Sequence, residues 1–169
     1  MIVIVYGLPG SGKTYFASHL AKRLEAVYIS TDRMRNQRMS SKSYSEEEKD
    51  AVYAAVLDKT KGLVQRGNDV VVDGTFYKRE FLEQFGREPE LLDSIRFIEV
   101  QAEENVIRQR LARPRIDSEA DWSVYKKIKK QWLPKSVRRL VLQSTDENLE
   151  EMLGEALKYL AADDTGRNK

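Results

Sequence analysis

Eight residues near the start of the chain, Gly7-Leu8-Pro9-Gly10-Ser11-Gly12-Lys13-Thr14, restrict its fold more than any other stretch. They fill every fixed position of the spacing G-x-x-x-x-G-K-[ST]. The apolar run Met1-Ile2-Val3-Ile4-Val5-Tyr6 precedes them and reads as a strand, and a segment with helical spacing, Lys13 to Leu24, follows. In that context the glycines let the backbone curl until successive N–H groups and the helix N-terminus converge on one anion. Lys13 is suited to the β and γ phosphates of a nucleotide, and the Thr14 hydroxyl to a magnesium position. The turn from Gly7 to Thr14, with Leu8, Pro9, Gly10, Ser11 and Gly12 between, is therefore expected to bind an NTP, ATP by default, together with Mg2+. A ligand-free strand-to-helix turn is the competing reading, and it requires all the fixed positions to have been filled by chance.

The rest of the chain repeats the strand-then-helix rhythm, which builds a parallel sheet with crossover helices. Strands are expected at Ile2 to Tyr6, Val27 to Ile29, Asp69 to Val72, Ile95 to Val100 and Arg138 to Leu142, mostly as continuous apolar runs covered on both faces. Helical spacing marks Lys13 to Leu24, Glu46 to Arg66, Lys78 to Phe85, Glu103 to Arg113 and Asp146 to Ala161. Ser45 with Glu48 forms a capping box for the second of these, and Gly67 stops it. The expected fold class is α/β, a P-loop NTPase fold with a five-stranded, mainly parallel sheet sandwiched by helices. At 169 residues the chain suits one domain, taken as residues 1–162, followed by a polar tail at 163–169. The stretch from Pro114 to Pro134, with capping signals at Ser118 and Asp121, is expected to be a small helical lid.

Composition narrows the chemistry. There is no cysteine and one histidine, His19, so a thiolate site or a histidine cluster for a transition metal is excluded, and an oxygen-bound Mg2+ is the expected metal. The net charge of +2 does not by itself name nucleic acid as a partner. The N-terminal apolar run is too short for a signal peptide, and no stretch reaches membrane-spanning length. A cytoplasmic protein with no membrane partner is expected, and the oligomeric state is left open.

The surroundings of the phosphate turn separate the classes that share it. No Asn-Lys-x-Asp element for reading guanine is present, and Val70-Val71-Val72-Asp73 is followed by Gly74, not by the glutamate of a water-activating pair. Both absences point away from a GTPase or a motor ATPase and toward a kinase, whose nucleophile is a bound hydroxyl. Ser30-Thr31-Asp32-Arg33-Met34-Arg35 follows the second strand and puts Asp32 at a parallel strand's carboxyl end, where ligands bind in open α/β sheets. Asp32 is the candidate general base, and Arg35, one turn later, the candidate acceptor ligand. Asp32 as nothing more than a helix cap is the alternative.

GLPGSGKT, ISTDRMR, YSEEEKDAVYAAVLDKTKGLVQRGNDVVVDGTF and SEADWSVY together resemble the predicted P-loop kinases called AAA_33, over most of the chain. Within that group and its relatives, the Asp32 and Arg35 pair is similar to the D-x-x-R element of 5′-hydroxyl polynucleotide kinases, which implies a general base and a clamp for the acceptor phosphate. Asp73 matches the Asp of the family's hydrophobic-strand-D-[AG]-T pattern, which implies a part in ordering Mg2+, with Thr75 beside it on the acceptor side. Here Phe76 follows Thr75, where polynucleotide kinases often have Asn.

Arg108, Arg110, Arg113 and Arg115 crowd the helix end before the lid, where a kinase needs cations against the transferring phosphoryl group. Arg110 and Arg113 are the candidates for catalysis, Arg110 and Arg115 for nucleotide contact, and a solvated basic helix end is the alternative. Relatives tend to carry two lid arginines four apart, and Pro114 occupies that position here. Trp122, Tyr125, Ile128 and Trp132 recur at near-helical spacing and are expected to pack the lid on the body, not to stack bases. The expectation is an NTP- and Mg2+-dependent kinase with a hydroxyl acceptor, the 5′-OH end of RNA or DNA being favoured. A small-metabolite, nucleoside or nucleotide kinase is the first alternative, and a nucleotide-switched binding module the second.

Overall fold

A computed structural model describes residues 1–38, 45–88, 91, 94–113, 120–132 and 137–165. In chain order the elements are β1 (Ile2–Tyr6), α1 (Lys13–Arg23), β2 (Val27–Ser30), α2 (Thr31–Arg38), α3 (Glu46–Gln65), β3 (Val70–Gly74), α4 (Arg79–Gly86), β4 (Ile95–Gln101), α5 (Glu104–Leu111), α6 (Trp122–Gln131), β5 (Leu140–Gln143) and α7 (Leu149–Thr165). The strands lie in the order β2-β3-β1-β4-β5. Every pairing is parallel. The fold is the α/β P-loop NTPase architecture.

The central strand shows why the sheet needs helices on both sides. Along β1, Ile2, Ile4 and Tyr6 enter one apolar cluster with Val52, Val56, Phe81 and Phe85 from α3 and α4. Val3 and Val5 enter the other, with Phe16, Leu20, Met152 and Leu153 from α1 and α7. Side chains alternate across a strand, so an uninterrupted apolar run needs cover on two faces, and the crossover helices supply it.

Element ends depart from the sequence reading in informative places. β3 runs on through Asp73 and Gly74, because Ser30 of β2 and Val5 of β1 both stand in register with Asp73. β5 begins at Leu140, and Arg139 ahead of it sends Nε to Glu99 Oε2 at 2.6 Å. α7 begins at Leu149, not near Asp146, because the Asn148 side chain closes the preceding turn: it accepts from Thr145 N at 2.8 Å and donates to Gln143 O at 2.8 Å. α7 continues to Thr165, and residues 166–169 lie outside the described residues. At the capping box, Ser45 Oγ accepts from Glu48 N at 3.1 Å. Among the described residues no helix is long and apolar enough to cross a membrane.

Candidate active site

The phosphate turn links the buried end of β1 to α1. Gly12, immediately before the helix, has φ 93°, and a Cβ there would stand 2.6 Å from Ser144 Oγ. Only glycine fits both constraints. Lys13 is 7% exposed and its amine lies 3.5 Å from Leu8 O, folded over the turn. Ser11 Oγ is buried with no hydrogen-bond partner. A buried ammonium with one long carbonyl contact, set beside an orphaned hydroxyl and a helix N-terminus, is chemistry that an anion completes. The turn therefore fits a nucleotide phosphate.

Asp73 lies at the end of β3, 2% exposed. Its Oδ2 accepts from Tyr28 OH at 3.0 Å, while Oδ1 is buried and has no hydrogen-bond partner. Burial pushes its carboxyl above the ordinary carboxylate range, against the pull of the Lys13 charge and of neighbouring Thr14. A hard cation or its water suits that orphaned oxygen, and Thr14 stands beside it, so the pair fits Mg2+. Gly74 also explains the missing glutamate: a Cβ there would meet Thr31 Cγ2 at 2.7 Å and Phe76 Cε2 at 2.8 Å. The side chains of Thr31 and Phe76 leave no room for a second carboxylate.

At the expected acceptor position, Asp32 and Arg35 face each other on α2, with Arg35 Nη1 3.2 Å from Asp32 Oδ1. Arg35 Nε lies 4.0 Å from Glu48 Oε1, whose side chain is 1% exposed. Tyr53 is buried behind them, and its hydroxyl accepts from Phe76 N at 3.0 Å. Burial raises the Tyr53 phenol above its usual range, and the neighbouring Asp32 charge adds to the effect. Thr75, half-buried, stands between Gly74 and Phe76, which has φ 46°. Lys13, Thr14, Asp73, Asp32 and Arg35 are thus gathered at the carboxyl ends of β1, β2 and β3. Sequence reading missed three neighbours. Glu48 was legible only as a capping residue, and Tyr28 and Tyr53 only as apolar-run and helix residues, since nothing local shows which polar group an aromatic hydroxyl will reach.

The arginines separate. Arg110 donates from Nη1 to Ser11 O at 3.2 Å, Gly10 O at 3.4 Å and Ser144 Oγ at 3.2 Å. Its Nε and Nη2 donate to Asp146 Oδ1 at 3.1 and 2.9 Å. It braces the carbonyl side of the phosphate turn. Arg113 is exposed just past α5, and Arg115 lies outside the described residues, as do 114–119 and 133–136 of the expected lid. Arg108 sits over the Trp122 ring at 5.4 Å.

Asp121 caps α6 by accepting from Ser123 N and Val124 N. The aromatic stripe faces inward: Tyr125 is buried with Ile107 and Leu111, and Trp132 stacks on Tyr6 at a centroid distance of 6.3 Å. His19 Nδ1 lies 2.8 Å from Tyr15 O. Among the described residues no three His, Cys, Asp or Glu side chains cluster as metal ligands.

A parallel sheet in this strand order, with the phosphate turn between β1 and α1, defines a P-loop NTPase. The family model AAA_33, described as an AAA domain, matches residues 2–133, and the chain belongs to that family. Among solved structures, a sugar kinase from Janibacter sp. HTCC2649 superposes with TM-score 0.74 at 16% identity, over 95% of this chain and 94% of that one. A gluconokinase from Sinorhizobium meliloti 1021 gives 0.71 at 20% identity, over 95% and 91%. Kti12 from Chaetomium thermophilum, solved in complex with ADP-AlF3, gives 0.65 at 20% identity, over 94% and 98%. At these identities the likeness is one of fold. No curated protein matches the chain in sequence.

Proposed function

We propose that the protein is a kinase that transfers the γ-phosphoryl group of ATP or another NTP to a hydroxyl acceptor. The observation that carries this reading is the meeting of two carboxylates with a phosphate cradle. Asp32 opens α2 at the end of β2, and Asp73 ends the adjacent β3, within the field of Lys13. The acceptor oxygen attacks the γ phosphorus, the bond to the β–γ bridging oxygen breaks, NDP leaves, and the hydroxyl proton passes to Asp32. Lys13 and the N–H groups of the turn hold the phosphates. Thr14 and Asp73 would hold Mg2+, which when bound neutralises charge on the β and γ phosphates. Arg110 supports the turn from behind, leaving Arg113 and Arg115 as the candidate cations for the transferring group.

A small hydroxyl-bearing metabolite is the acceptor that the geometry supports best. Arg35 already faces the carboxylates of Asp32 and Glu48, so its charge is compensated within the protein and the pair suits hydroxyls better than a phosphate backbone. The sugar kinase and gluconokinase among the structural neighbours support this reading. The Asp32 and Arg35 spacing, together with exposed Lys126, Lys127 and Lys130 on α6, favours the 5′-OH polynucleotide end as a second reading. Incubation with γ-labelled ATP, Mg2+ and a panel of sugars, sugar acids, nucleosides, nucleotides and 5′-OH RNA or DNA tests both. Label in a small polyol supports the first, and label confined to oligonucleotides supports the second. Acceptor-independent hydrolysis alone would overturn the kinase in favour of a nucleotide-switched module.

A further inference from the structure

The kinase reading leaves Tyr28 without a task, although this residue makes a direct hydrogen bond to Asp73. Tyr28 lies on β2 in register with Val71, two residues short of the Ser30 and Asp73 pair, so its side chain must run along the sheet to reach the carboxylate. Its hydroxyl does so at 3.0 Å. The ring is held in turn, because Arg33 of α2 lies over it at 5.5 Å from the centroid.

Two oxygens of one carboxylate thus meet different fates. Oδ2 receives the tyrosine hydrogen bond, and Oδ1 is buried without one. A carboxylate with both oxygens unengaged rotates about its terminal torsion at little cost, since that torsion has a broad profile. One fixed donor removes the freedom and decides which oxygen remains open.

Resting on the kinase reading, we propose that Tyr28 is a positioning residue. It pins Oδ2 of Asp73 so that Oδ1 stays directed at the magnesium position beside Thr14. Groups one step behind a metal position tune affinity through such bonds, and removing one typically weakens metal binding by 10–100-fold. Nothing in the phosphate turn itself touches Tyr28 in this way, so nucleotide binding without metal is independent of it.

The test is a fluorescence titration of a fluorescent ADP analogue against the wild-type protein and Tyr28→Phe, with EDTA and then across a Mg2+ series. Tyr28→Phe keeps the ring under Arg33 and removes only the hydroxyl. The expected result is a Mg2+ half-saturation for the ternary complex raised by about 10-fold, with metal-free nucleotide affinity unchanged. In the Asp73→Asn background, Tyr28→Phe should add no further effect, because the two act as one unit. A Mg2+ half-saturation equal to wild type overturns the positioning role and leaves the kinase reading standing. Wild-type protein that binds no nucleotide, or binds it with no response to Mg2+, overturns both. If Tyr28→Phe does not fold, Tyr28→Leu, which carries no donor, is expected to show the same raised half-saturation, and a normal value in it overturns the proposal.

Discussion

The guanidinium of Arg110 stands 3.2 Å from the carbonyl oxygen of Ser11 in the phosphate turn. A side chain from the end of α5 therefore sets the tilt of peptides nearly a hundred residues earlier. Arg110→Ala should weaken nucleotide binding by about tenfold, a loss on the scale of one charge-assisted hydrogen bond. Asp146→Asn, which spares the carbonyl contacts, should cost less. Isothermal titration of both variants with ATP and Mg2+ checks the order.

Asp32→Asn keeps the shape of the residue and removes its proton acceptor. Acceptor-dependent kcat should fall by about 10²–10⁴ with nucleotide affinity nearly unchanged. Wild-type kcat in that variant, measured where chemistry limits the rate, would rule out the general base.

Arg35 and Glu48 should fail differently according to the acceptor. With a small neutral polyol, Arg35→Ala should change KM modestly, by less than about tenfold, and Glu48→Gln should act in the same direction, because both orient Asp32 through one network. With an oligonucleotide acceptor, Arg35→Ala should instead be far more damaging than Glu48→Gln. Steady-state kinetics on the labelled acceptor distinguishes the patterns.

Lys13→Ala should abolish phosphoryl transfer and leave the fold intact, since the only hydrogen bond that Lys13 gives to the turn is one long contact to Leu8 O. Because the Lys13 charge also faces the buried Asp73, the melting temperature is expected to hold or to fall slightly. Calorimetry alongside the transfer assay reads both outcomes.

Gly74→Ala brings a methyl group against Thr31 and Phe76 and should destabilise the protein by about 1–3 kcal/mol, the usual cost of overpacking. Denaturant melts check the value, and a neutral result would show that Thr31 gives way.

Local rules carried much of this protein. The turn from Gly7 to Thr14 announces its conformation because positive φ, helix initiation and anion binding all fall on consecutive residues. The apolar runs of β1 and β3 announce a sheet covered on both faces, because burial there has a period that sequence displays. Ser45 and Asp121 mark their helix starts for the same reason, since a cap acts over three residues. What only the tertiary structure decided was which distant groups meet. The Tyr28 hydroxyl reaches Asp73 because β2 and β3 lie side by side in a particular register, and Glu48 faces Arg35 because α3 packs on α2. Arg110 meets the carbonyl groups of Gly10 and Ser11 because Asp146 and Ser144 arrive from beyond β5 to hold it. Each of these pairings is set by strand order and helix packing, which sum weak preferences over the whole chain, and no window of neighbouring residues contains them.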